Sequence, residues 1–397
     1  MRAVAAGLGT LAGATARAAD NTLDFRFLHY GESDNRTQVE NPELFFLHDF
    51  GQNGQFSLLL GFDSISGASP TGEAPTAVAT TSASGAHFGQ IPSAYYTDTR
   101  RAASLSYARR FGTHLPSVTL SYSRETDYLS RGFSLVDSWD LFGGRSTFHY
   151  GVGGTSDLVE PVHTQDRFSK KSLSLSAGWT QVLGPRDLMD VSLGVDSLSG
   201  YLTDPYKVVT VGSSVLPETR PDSRSRRTLM FKYAHYFLSR SALKTSYRYY
   251  WDDWSVKAHT IEASWDKKLG SRLILTPRVR YYTQGTASFF AYEFQAPEQY
   301  MSADYRLSAF WSWLAGLGMT YQVNEGLSLN LAATYQEQTG IDRLSTAPTT
   351  TPGGGKRSRG AFLFDDGEGG EGGGGGGSIS AADMKVLTLT GGVSIKF

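Results

Sequence analysis

A transmembrane antiparallel up-and-down β-barrel of about sixteen strands, of the outer-membrane type, is the fold this sequence predicts. Three observations carry it. Period-two alternation recurs along the chain, short turns rich in Gly, Pro or Asn take turns with longer polar connections, and the chain stops on an aromatic residue in mid-alternation.

The alternation puts apolar or aromatic residues on one parity and small or polar ones on the other. Leu173, Leu175, Ala177 and Trp179 alternate with Ser172, Ser174, Ser176 and Gly178; Val118, Leu120 and Tyr122 alternate with Thr119, Ser121 and Ser123. Leu327, Leu329, Leu331, Ala333 and Tyr335 repeat the pattern, and Leu387, Leu389, Val393, Ile395 and Phe397 share one face of the last segment. A soluble sandwich also alternates, so the turns must decide between the two.

Short connections occur at Gly51 to Gly54, Gly112 to Pro116, Gly143 to Arg145, Gly184 to Arg186, Leu238 to Ser241, Leu269 to Arg272 and Val323 to Gly326. Each joins two alternating runs as a hairpin. Between them lie polar, mostly longer connections around 31–42, 66–98, 126–131, 154–169, 203–225, 251–255, 284–304 and 341–382. Tight turns at one end and long loops at the other are the asymmetry of an outer-membrane barrel. A first strand near 22–30 and a last near 383–397 bring the count to about sixteen and place both termini on the short-turn, periplasmic side.

Aromatics fall where two interfacial belts require them. Tyr107, Trp179, Tyr233, Trp265 and Tyr321 lie just before hairpins on the outward parity, and Tyr122, Tyr247, Tyr281 and Tyr335 lie near the far ends of the following strands. No apolar run reaches the 18 or so residues of a spanning helix; the best, Phe310 to Met319, is about ten long. Only a closed barrel then satisfies every backbone group in lipid.

The last residues resemble the C-terminal assembly signal of bacterial outer-membrane barrels, with Gly392, Ile395 and terminal Phe397 in place. That resemblance implies that the barrel-assembly machinery reads it and that this strand pairs with the first, near Leu23, Phe25 and Phe27. Residues 1–18 have one early Arg, a small-residue apolar stretch and Ala16-Arg17-Ala18, the pattern of a signal peptide cleaved after Ala18. The mature barrel is expected over 19–397, with long loops near 66–98, 203–225, 284–304 and 341–382, in the outer membrane of a Gram-negative bacterium.

Composition narrows function. Lys plus Arg number 37 and Asp plus Glu 38, a formal charge of -1, so the basic excess that holds nucleic acid is absent. The chain has no cysteine, which excludes disulfides, thiolate metal sites and Cys nucleophiles. No P-loop, HExxH or Gly-x-Ser-x-Gly motif occurs, and the eight histidines are scattered. The expectation is a non-enzymatic barrel with no cofactor and no metal site, whose partners are outer-membrane lipids and the assembly machinery.

Ser104 to Ser130, Phe62 to Gly72, Ser246 to Thr260 and Met301 to Trp313 resemble the bacterial family catalogued as domain of unknown function 3570. The resemblance covers most of the mature chain and implies an outer-membrane barrel without a settled activity. It also implies association with operons for a thioredoxin-like protein, a small lipoprotein and a flavin transferase, and hence periplasmic redox or lipoprotein partners. The tract Gly353 to Gly377 departs from the family pattern.

Transport selectivity would reside on the inward parity. Arg100, Lys232, Lys244, Arg248, Arg278 and Arg280 fall there, with Arg110 elsewhere on the wall and with Asp24, Asp190, Asp196, Glu262 and Asp266 as counterparts. Segregated basic and acidic walls would favour anionic or zwitterionic solutes; paired charges would simply fill the lumen. YYWDDW, Tyr249 to Trp254, is either a sugar or cation platform or an aromatic belt ending in a polar turn. The acidic glycine tract Phe364 to Gly377 lacks EF-hand spacing, and the loop from Gly67 to Asp98 is long enough to fold inward as a plug.

The sequence therefore points to a porin-like channel or transporter for a small hydrophilic, preferentially anionic solute. The alternative is a non-conducting accessory barrel of an envelope redox or flavin-handling system. A third class, an outer-membrane enzyme, would need Ser or Asp converging with His on one end of the wall.

Overall fold

Alternation along so many segments has to close on itself, because an open edge in lipid would leave a row of unpaired N–H and C=O groups. The computed structural model describes residues 21–74, 80–82, 85–87, 91–342, 344–345 and 378–397. Among them, sixteen strands form one closed barrel. The first four are β1 (Thr22–Glu32), β2 (Gln38–Asp49), β3 (Gln55–Pro70) and β4 (Ser93–Ala108). Next come β5 (Ser117–Arg124), β6 (Tyr128–Leu141), β7 (Ser146–Val159) and β8 (Phe168–Gly184). They are followed by β9 (Asp187–Gly200), β10 (Ser223–Phe237), β11 (Ser241–Asp252) and β12 (Lys257–Leu269). β13 (Leu273–Gln284), β14 (Phe310–Gln322), β15 (Leu327–Gly340) and β16 (Met384–Lys396) complete the wall.

Each strand pairs antiparallel with its sequence neighbours, and β16 returns to β1 with Leu23 opposite Ile395 and Phe25 opposite Val393. Asn21 and Phe397 exchange both backbone hydrogen bonds at 3.1 Å, so the ladder runs to the last residue. The seven tight connections join strands at one end: 50–54, 109–116, 142–145, 185–186, 238–240, 270–272 and 323–326. At the other end the strands run further than the apolar pattern indicates. β3 continues to Pro70, β4 starts at Ser93, β7 continues to Val159 and β8 starts at Phe168, so residues 66–70, 93–98, 154–159 and 168–169 are ladder rather than loop. Above the bilayer both faces are wet, so alternation fades while backbone pairing continues.

The outward parity is apolar and uncovered. Leu120, Leu175, Ile261, Val279 and Leu331 are all more than half exposed, as side chains that meet lipid rather than a protein core must be. Tyr107, Trp179, Trp265 and Tyr321 stand exposed toward the hairpin end, and Tyr122, Tyr247, Tyr281 and Tyr335 toward the loop end. Tyr233 is more covered and donates its hydroxyl to Asp187 at 2.6 Å. Leu175 lies mid-strand between Val152 and Val195. Leu175→Arg is expected to cost about 2–4 kcal/mol of folding free energy in lipid vesicles, measured by denaturant titration, whereas Ser174→Arg on the inward face should cost much less.

Candidate functional site: a capped, charge-lined lumen

Because side-chain parity is fixed along each strand, strand register decides which inward residues meet. Pairing runs Thr180 to Asp190, Asp190 to Lys232, Lys232 to Ser246, Ser246 to Glu262, Glu262 to Arg280, and on through Leu314 to Gln336. Arg248 opposes Thr260 one row toward the loops; Lys244, Ser264 and Arg278 share the row below. Lys232, Lys244, Arg248, Arg278 and Arg280 thus form one basic patch across β10–β13.

The acids do not occupy a separate wall, which corrects the segregated arrangement considered from sequence. Glu262 lies inside the patch and accepts from Arg278 at 2.7 Å; Asp266 meets Lys244 at 2.5 Å. Asp190 flanks the patch, accepting from Thr180 at 2.8 Å with His149 3.6 Å away. Adjacent strands place same-parity residues side by side, so opposite charges on neighbours interleave. Arg100 pairs elsewhere with Asp63, Arg110 with Asp140 at 2.8 Å, Asp196 accepts from Ser174 at 2.6 Å, and Asp24 accepts from Ser394.

Three cations escape this pairing. Arg280 donates to the Gln336 amide oxygen at 2.8 Å and Arg248 to the Thr260 hydroxyl at 3.2 Å, while Lys232 makes no ion pair among the described residues. The Lys244 side chain is 58% exposed and that of Arg278 42%, although both point inward. The lumen beside the patch therefore holds water.

Small residues flank the patch on both sides. β7–β9 turn Gly151, Gly153, Gly178 and Gly194 inward, and β14–β15 turn Gly316, Gly318 and Ala332 inward. Gly178 has a specific reason: a Cβ there would come within 2.1 Å of the His149 ring, which lies across the strand toward Asp190.

The loop end carries a folded cap built from residues 201–222 and 285–309. Val208–Val211 pairs antiparallel with Ser214–Pro217 and parallel with Glu293–Phe294. Val209, Val211, Phe294, Met301 and Ala303 bury one small core; Trp254, Val256, Ala287, Phe289 and Leu307 bury a second. Tyr305 packs with Phe310, Met384 and Val386 and against Tyr30 and Tyr282, inward-facing residues of the barrel wall. Gln284, also inward, donates to the carbonyls of Arg306 and Ser308. The cap is therefore seated in the mouth.

An ion network holds it together. Arg220 bridges Glu218 at 2.7 Å and Asp304 at 2.9 Å, and Arg306 bridges Asp304 at 2.6 Å and Asp204 at 2.9 Å. Lys207 is buried with its ammonium on the Ser69 hydroxyl and the Pro70 carbonyl. Three carboxylates and three cations balance without surplus. Burial alone would raise the Asp304 carboxyl, but Arg306 and Arg220 hold it far below the usual carboxylate range. Hydrogen bonds from Val208 to Thr71, Ala74 to Thr210 and Tyr206 to Asp127 anchor the cap across the rim.

A family model described as a protein of unknown function, DUF3570, matches residues 3–171 and 162–350. The chain belongs to the DUF3570 family. No curated protein matches it. Among solved structures, the DUF3570 chain is similar to the siderophore receptor PirA from Pseudomonas aeruginosa, at 10% identity and a TM-score of 0.41, over 82% of this chain and 57% of the receptor. It is similar to CdiB from Acinetobacter baumannii at 10% identity and a TM-score of 0.49, over 96% of this chain and 61% of CdiB. It is similar to the CymD monoaromatic hydrocarbon channel at 9% identity and a TM-score of 0.43, over 96% and 89%. This chain thus spans less than two thirds of PirA and of CdiB, and such scores add nothing to what the strand order establishes.

Two features of this DUF3570 barrel differ from its sequence reading. YYWDDW ends in the expected polar turn, but its side chains are drawn into the cap: Asp252 is buried, accepts from Arg224 and from the Tyr250 hydroxyl at 2.6 Å, and Trp254 sits in the cap core with Arg224 over its ring at 4.2 Å. The cap replaces connections expected to be plain polar loops; these loops carry Val209, Val211, Phe289 and Phe294, more apolar surface than solvated connections need. Of the 66–98 loop, residues 71–74 touch the cap; the signal region and the glycine tract lie outside the described residues. His114 with Asp137 and His235 with Asp187 pair at 2.6 Å on the wall, and among the described residues no serine or threonine hydroxyl bonds an imidazole.

Proposed function

We propose that this chain is an outer-membrane channel or transporter for small hydrophilic solutes, with a preference for anions, whose mouth is shut by its own loops in the state described. The observation that carries this reading is Lys232, Arg248 and Arg280 facing the lumen without an ion-paired carboxylate among the described residues. Unpaired cations on a low-dielectric wall concentrate anions and repel cations. In this reading both termini are periplasmic, the outward belt meets outer-membrane lipid, and the assembly machinery inserts the barrel; catalysis plays no part.

The cap favours a second reading, an accessory barrel whose lumen opens only toward the hairpin end and serves periplasmic redox or lipoprotein partners. Conductance in planar bilayers under a salt gradient separates them. Anion preference is expected in the native barrel, and Arg248→Gln, Arg278→Gln and Arg280→Gln together should lower the anion-to-cation permeability ratio about fivefold. An unchanged reversal potential in the triple variant removes the lumenal filter. A folded barrel that stays silent even with residues 285–309 replaced by a short turn supports the accessory reading.

A further inference from the structure

Three carboxylates converge at the inner rim, away from the basic patch. Asp98 stands near the start of β4, and Glu125 and Asp127 belong to the turn between β5 and β6. One carboxylate oxygen from each lies within 4.8 Å of the others. Charges this close repel unless something positive sits among them. Among the described residues no Lys or Arg forms an ion pair with any of the three. Arg124 and Arg167 are held by Glu160 at 3.0 and 3.1 Å, Lys170 by Asp157 at 3.6 Å, and Arg100 by Asp63.

The orientation of the carboxylates is the second observation. Asp127 is only 6% exposed; one of its oxygens accepts the Tyr206 hydroxyl at 2.5 Å, and the other, Oδ1, is fully buried with no hydrogen-bond partner among the described residues. A native structure rarely leaves a buried carboxylate oxygen unsatisfied unless an ion or water completes it. Asp98 is held in the same way. Its Oδ1 takes the Thr126 hydroxyl at 2.7 Å and the amides of Thr99 and Thr126, and its Oδ2 has no donor among the described residues. Each aspartate thus has one oxygen fixed by protein donors and a second, without such a donor among the described residues, on the same carboxylate that enters the cluster.

We propose that Asp98, Glu125 and Asp127 bind a hard divalent cation, calcium by preference, which pins the cap to the barrel rim through Tyr206. The donor set is all oxygen, as calcium requires, and two oxygens on one calcium at about 2.4 Å lie at most about 4.8 Å apart. Magnesium demands a tighter octahedron than a strand and a turn readily supply. Burial, with repulsion from Asp98 and Asp127, lifts the Glu125 carboxyl above the ordinary range, and burial does the same for Asp127. Tyr206 belongs to the cap and Asp127 to the wall, so occupancy of the site bears on closure of the mouth.

The test uses the full chain refolded in detergent free of lipopolysaccharide, stripped with a chelator and titrated calorimetrically with calcium chloride. One-site binding with a dissociation constant on the order of 10⁻⁵ to 10⁻³ M is expected. It should weaken at least tenfold in Asp98→Asn/Glu125→Gln/Asp127→Asn while heat-modifiable migration shows the barrel still folded. Calcium should also slow trypsin cleavage after the cap residues Lys207 and Arg306 in the native chain and leave the variant unaffected. If the triple variant fails to fold, Glu125→Gln alone carries the test with the same expected weakening. No calcium binding by the native chain overturns the proposal, as does binding that survives the substitutions or magnesium binding of equal strength.

Discussion

Asp304→Ala is expected to turn a barrel that rarely conducts into one that conducts steadily. Asp304 is the shared counter-ion of Arg220 and Arg306, and it also accepts the Arg306 amide at 3.1 Å to start the turn Tyr305–Leu307. Its removal leaves one buried positive charge in surplus within the cap. Breaking a buried pair from one side typically costs about 3–5 kcal/mol, comparable to what a small docked element can hold. The barrel ladder is untouched, so the loss should fall on the cap.

Single-channel recording in planar bilayers should show open time rising at least tenfold, with heat-modifiable migration unchanged. Equal open times in variant and native chain would separate the network from closure. Acidification should not imitate the substitution at Asp304 itself. The folded-state carboxyl of Asp304 is depressed, so its contribution is present above the unfolded value near 3.9 and disappears only as pH falls through a folded value far below that. Between pH 7 and pH 5 Asp304 should therefore stay charged; the member of the network that acid reaches first is Glu218, whose carboxyl burial lifts above the ordinary range.

Removing Phe397 is expected to lower folded barrel in the outer membrane by about tenfold or more, while refolding of the purified chain into detergent changes little. The two readouts distinguish recognition from architecture. Phe397 contributes one reciprocal backbone pair with Asn21 and a largely exposed ring at the rim, a small share of a ladder that otherwise holds β16 to β1 over eleven register pairs. A modest thermodynamic loss cannot empty a membrane of protein, whereas a missing assembly signal can. Equal surface levels in the cell would count against the signal.

What was legible in the sequence was whatever the bilayer enforces. Leu173, Leu175 and Trp179 must alternate with serines because lipid and water lie on opposite sides of one strand, and Gly51 to Gly54 must turn tightly because the ladder continues across it. The inward positions of Lys232, Arg248 and Arg280 follow from the same parity. Which cations are paired does not, because Glu262 meets Arg278 rather than Arg280 only through the register of β12 on β13, which parity leaves open. The cap was hidden for a different reason. Glu218, Ser302 and Asp304 are more than 80 residues apart in sequence at the extremes, and their contact depends on two loops meeting across a mouth, for which no local period exists.

The flanking glycines beside the basic patch have a consequence for the bore. Long side chains on β10–β13 stand as a ridge, flanked by Gly316, Gly318 and Ala332 on β14–β15 and by Gly151, Gly153 and Gly194 on β7–β9, where the His149 ring covers Gly178. A hydrated ion would then travel off-axis, in one of two lanes, brushing the ridge with one flank and bare backbone with the other. The size limit for passage would follow the width of a lane rather than the diameter set by sixteen strands. Filling one lane, for example with bulky side chains at Gly316 and Gly318, should therefore cut conductance by about half while leaving ion preference to the ridge.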